Sequence, residues 1–185
     1  IEVSGIDCVR FDNDIPLEFG VSQNIGDTIG PGGLFKGLRT IPVWLDILRD
    51  CEEHCPRAVV LNYTNPMNMM CLAASRVSSM EVVGLCHSVQ GTSKMLAKYT
   101  GVPYEQVQWR CAGINHLAWF LEWTHEGRDV YAMLKEKLSH PDDPDVKKFL
   151  VDESVRAEVL KQFGYFPTES NRHDSEYMPY FRRTR

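Results

Sequence analysis

The sequence has no apolar run approaching the roughly 20 residues that a helix needs to cross a bilayer, and no segment reads as a secretory signal. It has no surplus of positive charge either. The net charge of -5 and pI near 5.7 give no reason to expect nucleic acid, and Arg182, Arg183 and Arg185 read as a solvated tail. Internal repeats and low-complexity segments are absent, as is the G-x-G-x-x-G fingerprint of dinucleotide binding. The six cysteines are scattered in a chain too large to need staples, so they read as reduced thiols of a cytoplasmic protein. Cys51 and Cys55 lie four apart with His54 between them, but no second ligand pair sits nearby, which makes them structural. The chain starts on Ile1 and stops on Arg185 without winding down, and is expected to be an internal piece of a longer protein.

What is present is organised around two stretches. Val82-Val83-Gly84-Leu85-Cys86-His87-Ser88 is an apolar run ending on a thiol, an imidazole and a hydroxyl. Cys111-Ala112-Gly113-Ile114-Asn115-His116 ends on an amide and an imidazole. Short apolar runs bounded by polar residues read as buried strands, and ligands bind outside the carboxyl ends of strands in open α/β sheets. A thiolate and a neutral imidazole suit a borderline-soft divalent ion. Cys86 and His116 are therefore candidate ligands of one metal, with positions left open for substrate oxygens. The alternative is a core thiol at Cys86 and a solvated loop histidine at His87.

Around these stretches, residues 1–20 show little periodicity, and Asp7, Asp12 and Asp14 suggest a loop or broken strand. Ile25–Gly33, with four glycines and Pro31, reads as a tight loop whose amides could face a ligand, or as a plain surface loop. Leu38, Ile41, Leu45 and Leu48 mark a helix from about 34 to 55, interrupted by Pro42. Arg39, at its start, could bind an anionic or hydroxylated ligand or cap a carboxylate. Arg57–Asn62 reads as a parallel strand leading to Asn65 as helix N-cap with Pro66 in the first turn. Ser88 or Thr92 should cap the helix after Cys86, which Gly101 closes. Strand–helix–strand–helix in this rhythm is a βαβ signature. Past Pro103 the pattern changes to strands over 106–112 and 117–123, then helices over 130–138 and 144–163. The run from Thr168 to Tyr177 is dense in titratable groups and reads as a solvated loop. The expected architecture is α/β: part of a Rossmann-like, doubly wound parallel sheet over 1–105, then the start of an α+β domain over 106–185.

Several stretches together resemble glycoside hydrolase family 4, in its α-galactosidase (melibiase-like) and α-galacturonidase branch. They are Ile25–Gly33, Gly37–Pro42, Asn62–Met67, Gly84–Thr92, Cys111–His116 and Phe166–Ser170, in the family's order. Cys86-His87-Ser88-Val89 looks like the version found in enzymes for unphosphorylated α-galactosides; α-galacturonidases look similar here, and 6-phosphoglycosidases differ at the residue after the cysteine.

The resemblance implies a lactate/malate dehydrogenase-like fold and a glycosidase dependent on NAD and a divalent metal, usually Mn²⁺. This group stands outside the two-carboxylate scheme of most glycosidases. It oxidises C3 of the sugar, removes the acidified C2 proton, eliminates the C1 substituent, adds water and returns the hydride. By the same resemblance Cys86 and His116 are the metal ligands, and Asn65 holds substrate beside the metal. His87 is the acid for the leaving group, Tyr177 the base for C2, and Asn115 and Arg39 contact substrate. A dimer or tetramer is implied. The family's glycine-rich NAD fingerprint has no counterpart in this chain, so the segment alone is expected neither to bind NAD tightly nor to turn over. The competing readings are a lactate/malate-type dehydrogenase, which would need no metal-binding thiol, and a non-catalytic remnant.

Overall fold

The computed structural model describes residues 6–182. Its packing divides the chain into two compact units, one ending at Cys86 and the other starting at His87.

The first unit runs α1 (Ile6–Glu18), α2 (Gly30–His54), β1 (Val59–Asn62), α3 (Met67–Val77) and β2 (Glu81–Gly84). β1 and β2 pair in parallel, from Val59 opposite Glu81 to Asn62 opposite Gly84. Parallel neighbours need a crossover, and α3 supplies it. Trp44 and Leu48 of α2 close on Met70 and Ala74 of α3 and on Met80, with Val60 and Val82 packed against them from the strands. The indole of Trp44 donates to the Met70 carbonyl at 3.2 Å. Val59, Leu61 and Val83, on alternate positions of the same strands, remain exposed.

Two expectations for this unit are corrected. Residues 6–18 form a helix, not a loop or broken strand. Arg10 pairs with Asp14 one turn on, and Asp12 is buried against Arg39, which donates to both its oxygens at 2.9 and 2.5 Å. That partner lies 27 residues away, outside any local window. The glycine-rich loop is also shorter than expected, because Gly30–Gly33 already form the first turn of α2. A Cβ on Gly32 would stand 2.3 Å from the Gly26 carbonyl oxygen, and one on Gly33 2.5 Å from the Thr28 carbonyl carbon. These glycines let the helix start pack onto its own lead-in loop. The Gly32 and Gly33 amides meet Gln23 Oε1 and the Ile29 carbonyl.

The second unit contains α4 (Ser88–Thr100), a 3₁₀ turn (Tyr104–Gln106), β3 (Val107–Ile114), β4 (Leu117–His125), β5 (Arg128–Asp129), α5 (Val130–Leu138), α6 (Pro144–Asp152), α7 (Ser154–Phe163), β6 (Phe166–Pro167) and α8 (Asn171–Tyr177). Its sheet is antiparallel in the order β3-β4-β5, with β6 also on β4. The register places Arg110 opposite Glu122 but Cys111 opposite Phe120, so Leu121 is an extra residue on β4. This bulge brings both Phe120 and Trp123 inward although they are three apart. With Leu96 and Ala97 of α4, Val130 and Leu134 of α5, Phe149, Leu160 and Phe166 they make the unit's core.

Three further expectations are corrected here. The helix over 144–163 is two helices, broken at Glu153 (φ -118°, ψ 32°), because Asn171 Oδ1 accepts from the amides of Val155 and Arg156 and caps α7 from a distance. Neither Ser88 nor Thr92 caps α4; Ser88 donates to Glu169 and Thr92 to the Thr168 carbonyl. The titratable run is not a solvated loop, since most of it forms α8 with His173, Asp174 and Ser175 buried. Among the described residues no helix is long and apolar enough to cross a membrane, and all six cysteines are free thiols.

Candidate functional site

In the first unit the polar residues of interest follow the strand ends. Asn62 is buried, and its amide grips the backbone of Thr64 through both its oxygen and its nitrogen. Its carbonyl accepts from Leu85 N at 2.9 Å, carrying the pairing of the two strands one residue past β2. Cys86 follows, half-buried. The Asn65–Pro66 peptide is cis, and Pro66 takes the position before α3 with no side-chain cap. The expected N-cap role of Asn65 is thereby overturned: its amide donates instead to Asp27 Oδ2 at 3.0 Å. Asp27 Oδ1 is buried without a hydrogen bond among the described residues. Arg39 meets Asp12, the carboxylate-capping alternative of the two roles expected for it.

In the second unit β3 and β4 join through a two-residue turn, Asn115-His116, between the paired residues Ile114 and Leu117. Gly113 (φ 141°) makes the close approach possible, since a Cβ there would lie 2.4 Å from the Leu117 carbonyl oxygen. His116 has φ 63°, a left-handed conformation that costs a side-chain-bearing residue free energy. It is nevertheless buried, with its ring stacked on His173 at 3.7 Å between centroids and 27° between planes. A histidine in a strained turn with a buried ring points to a role for the ring.

That ring faces a carboxylate. His116 Nε2 lies 3.5 Å from Glu169 Oε2, and both side chains are at most one-tenth exposed. Glu169 follows β6, where Thr168 N donates to the Ala118 carbonyl at 2.8 Å. Ser88 Oγ donates to Glu169 Oε2 at 2.5 Å and Ser170 N to Oε1 at 2.8 Å. Behind them Arg156 is buried, holding Glu153 Oε2 at 2.6 Å, Thr92 Oγ1 at 2.9 Å and the Glu169 carbonyl at 3.1 Å. Asp174 has no exposure, and neither carboxyl oxygen has a hydrogen-bond partner among the described residues. Burial pushes its pKa up to about 8; Arg156 opposes this, and Glu169 and Glu153 reinforce it.

The structure therefore places His116 in a buried cluster with Glu169, His173 and Asp174, none of which the sequence reading had singled out. Phe166–Ser170 and the titratable run had drawn attention to the region, but nothing local marks which members point inward. Asn115 is half-buried beside His116. His87 is exposed, immediately before α4, and Tyr177 is half-buried at the end of α8, the helix that also carries His173. Thiolate, imidazole and carboxylate are the donors that divalent transition ions take, and the buried histidine–carboxylate pair fits such an ion. No residue of the chain forms a dinucleotide fingerprint, so NAD has no residue assigned here.

A parallel βαβ unit followed by an antiparallel unit with a buried histidine–carboxylate cluster defines an α/β enzyme fold of the Rossmann-like class. The chain belongs to glycosyl hydrolase family 4: the family's model matches residues 1–102, and the model of its C-terminal domain matches 111–185. It is 45% identical over 170 residues to an α-galactosidase of Bacillus subtilis, covering 92% of this chain and 38% of that protein. An α-galacturonidase of Thermoanaerobacterium saccharolyticum is 30% identical over 94% of this chain and 41% of its own length. The fold is similar to that of the LplD protein of Bacillus subtilis (TM-score 0.83, 27% identity, 97% of this chain and 45% of that one). It also resembles a 6-phospho-α-glucosidase from gut microorganisms in complex with NAD and Mn²⁺ (TM-score 0.74, 22% identity, 96% and 42%). The chain thus spans about two-fifths of the length of the relatives it matches.

Proposed function

We propose that the full-length gene product is a cytoplasmic α-galactosidase dependent on NAD and a divalent metal, Mn²⁺ by preference, and that it works as a dimer or tetramer. The observation that carries the reading is the 45% identity to an α-galactosidase over nearly the whole chain, with Cys86-His87-Ser88-Val89 and Asn115-His116 present in order. NAD⁺, when bound, supplies the acceptor for a hydride from C3 of the sugar, and the metal supplies a Lewis acid for the C2 and C3 oxygens.

This chain's residues do the rest. Cys86 and His116 hold the metal. The Tyr177 phenol, as phenolate, removes the C2 proton, and the His87 imidazolium gives a proton to the departing C1 oxygen. Asn65 holds the sugar beside the metal, and Asn115 and Arg39 contact its hydroxyls. A second reading, an α-galacturonidase, is favoured by relatives of that activity at 29–33% identity.

The test offers the full-length gene product an α-galactoside and an α-galacturonide together, in D₂O with NAD⁺, Mn²⁺ and a reductant. Deuterium at C2 of released galactose is the expected result. Deuterium in galacturonate alone would move the assignment to the second reading, and sugar released without deuterium would overturn the elimination route through Tyr177.

A further inference from the structure

Within the buried cluster, the Glu169 carboxylate is the group that faces the His116 ring. Its Oε2 stands 3.5 Å from His116 Nε2, beyond the 2.7–3.2 Å of an ordinary hydrogen bond to nitrogen. Two donors each about 2.1 Å from one ion are separated by about 3.0 Å at a right angle and about 3.5 Å at the tetrahedral angle. The pair has the spacing of co-ligands.

The surroundings hold that spacing. His173 stacks on the His116 ring and fixes its plane. Both carboxylate oxygens of Glu169 accept a hydrogen bond, from Ser88 Oγ and from Ser170 N, which is how a ligating carboxylate is oriented by its outer shell. Behind them Arg156, itself buried, holds the Glu153 carboxylate and the main-chain carbonyl of Glu169, so the backbone that carries the carboxylate is fixed as well.

We infer that Glu169 is a third protein ligand of the divalent metal, binding through Oε2 beside His116 Nε2. The inference rests on the metal-dependent reading above. It adds a hard oxygen donor to the thiolate and imidazole, and that donor set suits Mn²⁺ better than a thiolate–imidazole pair alone.

The test loads the metal-stripped full-length gene product with Mn²⁺, followed by the electron paramagnetic resonance of the free ion, and with Co²⁺, followed by visible absorption. Glu169→Gln keeps the side chain's size but gives up the charge and one of the two acceptor oxygens that serve Ser88 Oγ and Ser170 N; near-ultraviolet circular dichroism checks the fold, and Glu169→Asp serves as a second variant. The expected result is that Glu169→Gln loses at least 100-fold in Mn²⁺ affinity and changes the Co²⁺ d–d bands, while the thiolate-to-Co²⁺ charge-transfer band persists. Glu169→Asp should recover part of the affinity. Unchanged d–d bands in Glu169→Gln would overturn the inference at any affinity, because a residue that only orients His116 leaves the ligand count intact. If the parent protein binds neither ion, the metal-dependent reading fails and takes the inference with it. If Cys86→Ser binds both ions like the parent while Glu169→Gln does not, the reading's ligand set fails and Glu169 stands.

Discussion

The two units bury charge and apolar surface in opposite ways. In the first, the buried carboxylate of Asp12 accepts from both terminal nitrogens of Arg39, and half-buried Asp27 takes the Asn65 amide on one of its two oxygens. Its apolar surface is unfinished, because Val59, Leu61 and Val83 present an uncovered face of the β1–β2 pair. In the second unit α4, α5, α6, α7 and the sheet all contribute to one apolar core, yet Asp174 is fully buried with neither carboxyl oxygen hydrogen-bonded among the described residues. Structural economy explains the first arrangement. The second is costly by the same rules, since an uncompensated buried carboxylate is destabilising. Such a cost is tolerated where the site is used.

The largest effect that would break this contrast lies at Asp174. Its folded pKa is raised from 3.8 to about 8 by burial. Between those values the folded state binds more protons than the unfolded state, so stability is greatest at the acid end and falls as pH rises through that window. Asp174→Asn removes the titration. In the metal-free full-length protein, Tm should fall between pH 5 and 8 for the parent and stay flatter for the variant. The shift of about four pH units caps the difference at roughly 5 kcal/mol. Parallel profiles would show that this carboxyl is no burden on the second unit.

The same contrast explains what could be read from the sequence. The βαβ core was legible because Val59–Asn62 and Glu81–Gly84 are short branched runs on either side of a periodic helix. The β3–β4 hairpin and α5 were legible by the same local patterning. What escaped was set by partners distant in sequence. Asp12 looked like a loop residue until Arg39 was placed beside it, and Asn65 looked like a cap until Asp27 took its amide. Of the candidate site, His116 and Asn115 were visible as the polar end of an apolar strand. Glu169, His173 and Asp174 were hidden in a run whose composition resembles a solvated loop, and only α8 turns three of its members inward.

A smaller effect sharpens the contrast at the break between α6 and α7. Asn171→Ala would strip the cap from the Val155 and Arg156 amides and free the Asp152 carbonyl from Asn171 Nδ2. Loss of a side-chain cap costs about 1–2 kcal/mol. Hydrogen exchange over residues 153–160 should accelerate to match, with residues 44–51 of the first unit unchanged. Acceleration in both places would mean that the second unit does not hold this cluster by itself.

The smallest effect in the 185-residue chain concerns the open face of the first unit. Val59, Leu61 and Val83 are 50%, 62% and 38% exposed. Parallel α/β sheets bury both faces, and contiguous exposed apolar surface marks a contact. Leu61→Ser should therefore change the stability of the 185-residue chain by no more than about 0.5 kcal/mol, the range of ordinary surface substitutions, and should reduce its binding of an apolar dye. In the full-length gene product the same substitution should cost about 2–5 kcal/mol, the range for truncating a buried leucine. The comparison uses one substitution in two lengths of the protein, so effects on the unfolded chain largely cancel and the difference reports the cover on that face. Equal effects in both would mean that the face stays in water in the whole protein. The first unit's apolar surface would then be as unexplained by packing as Asp174 is by hydrogen bonding, and the face itself would become a candidate contact for a second copy of the chain.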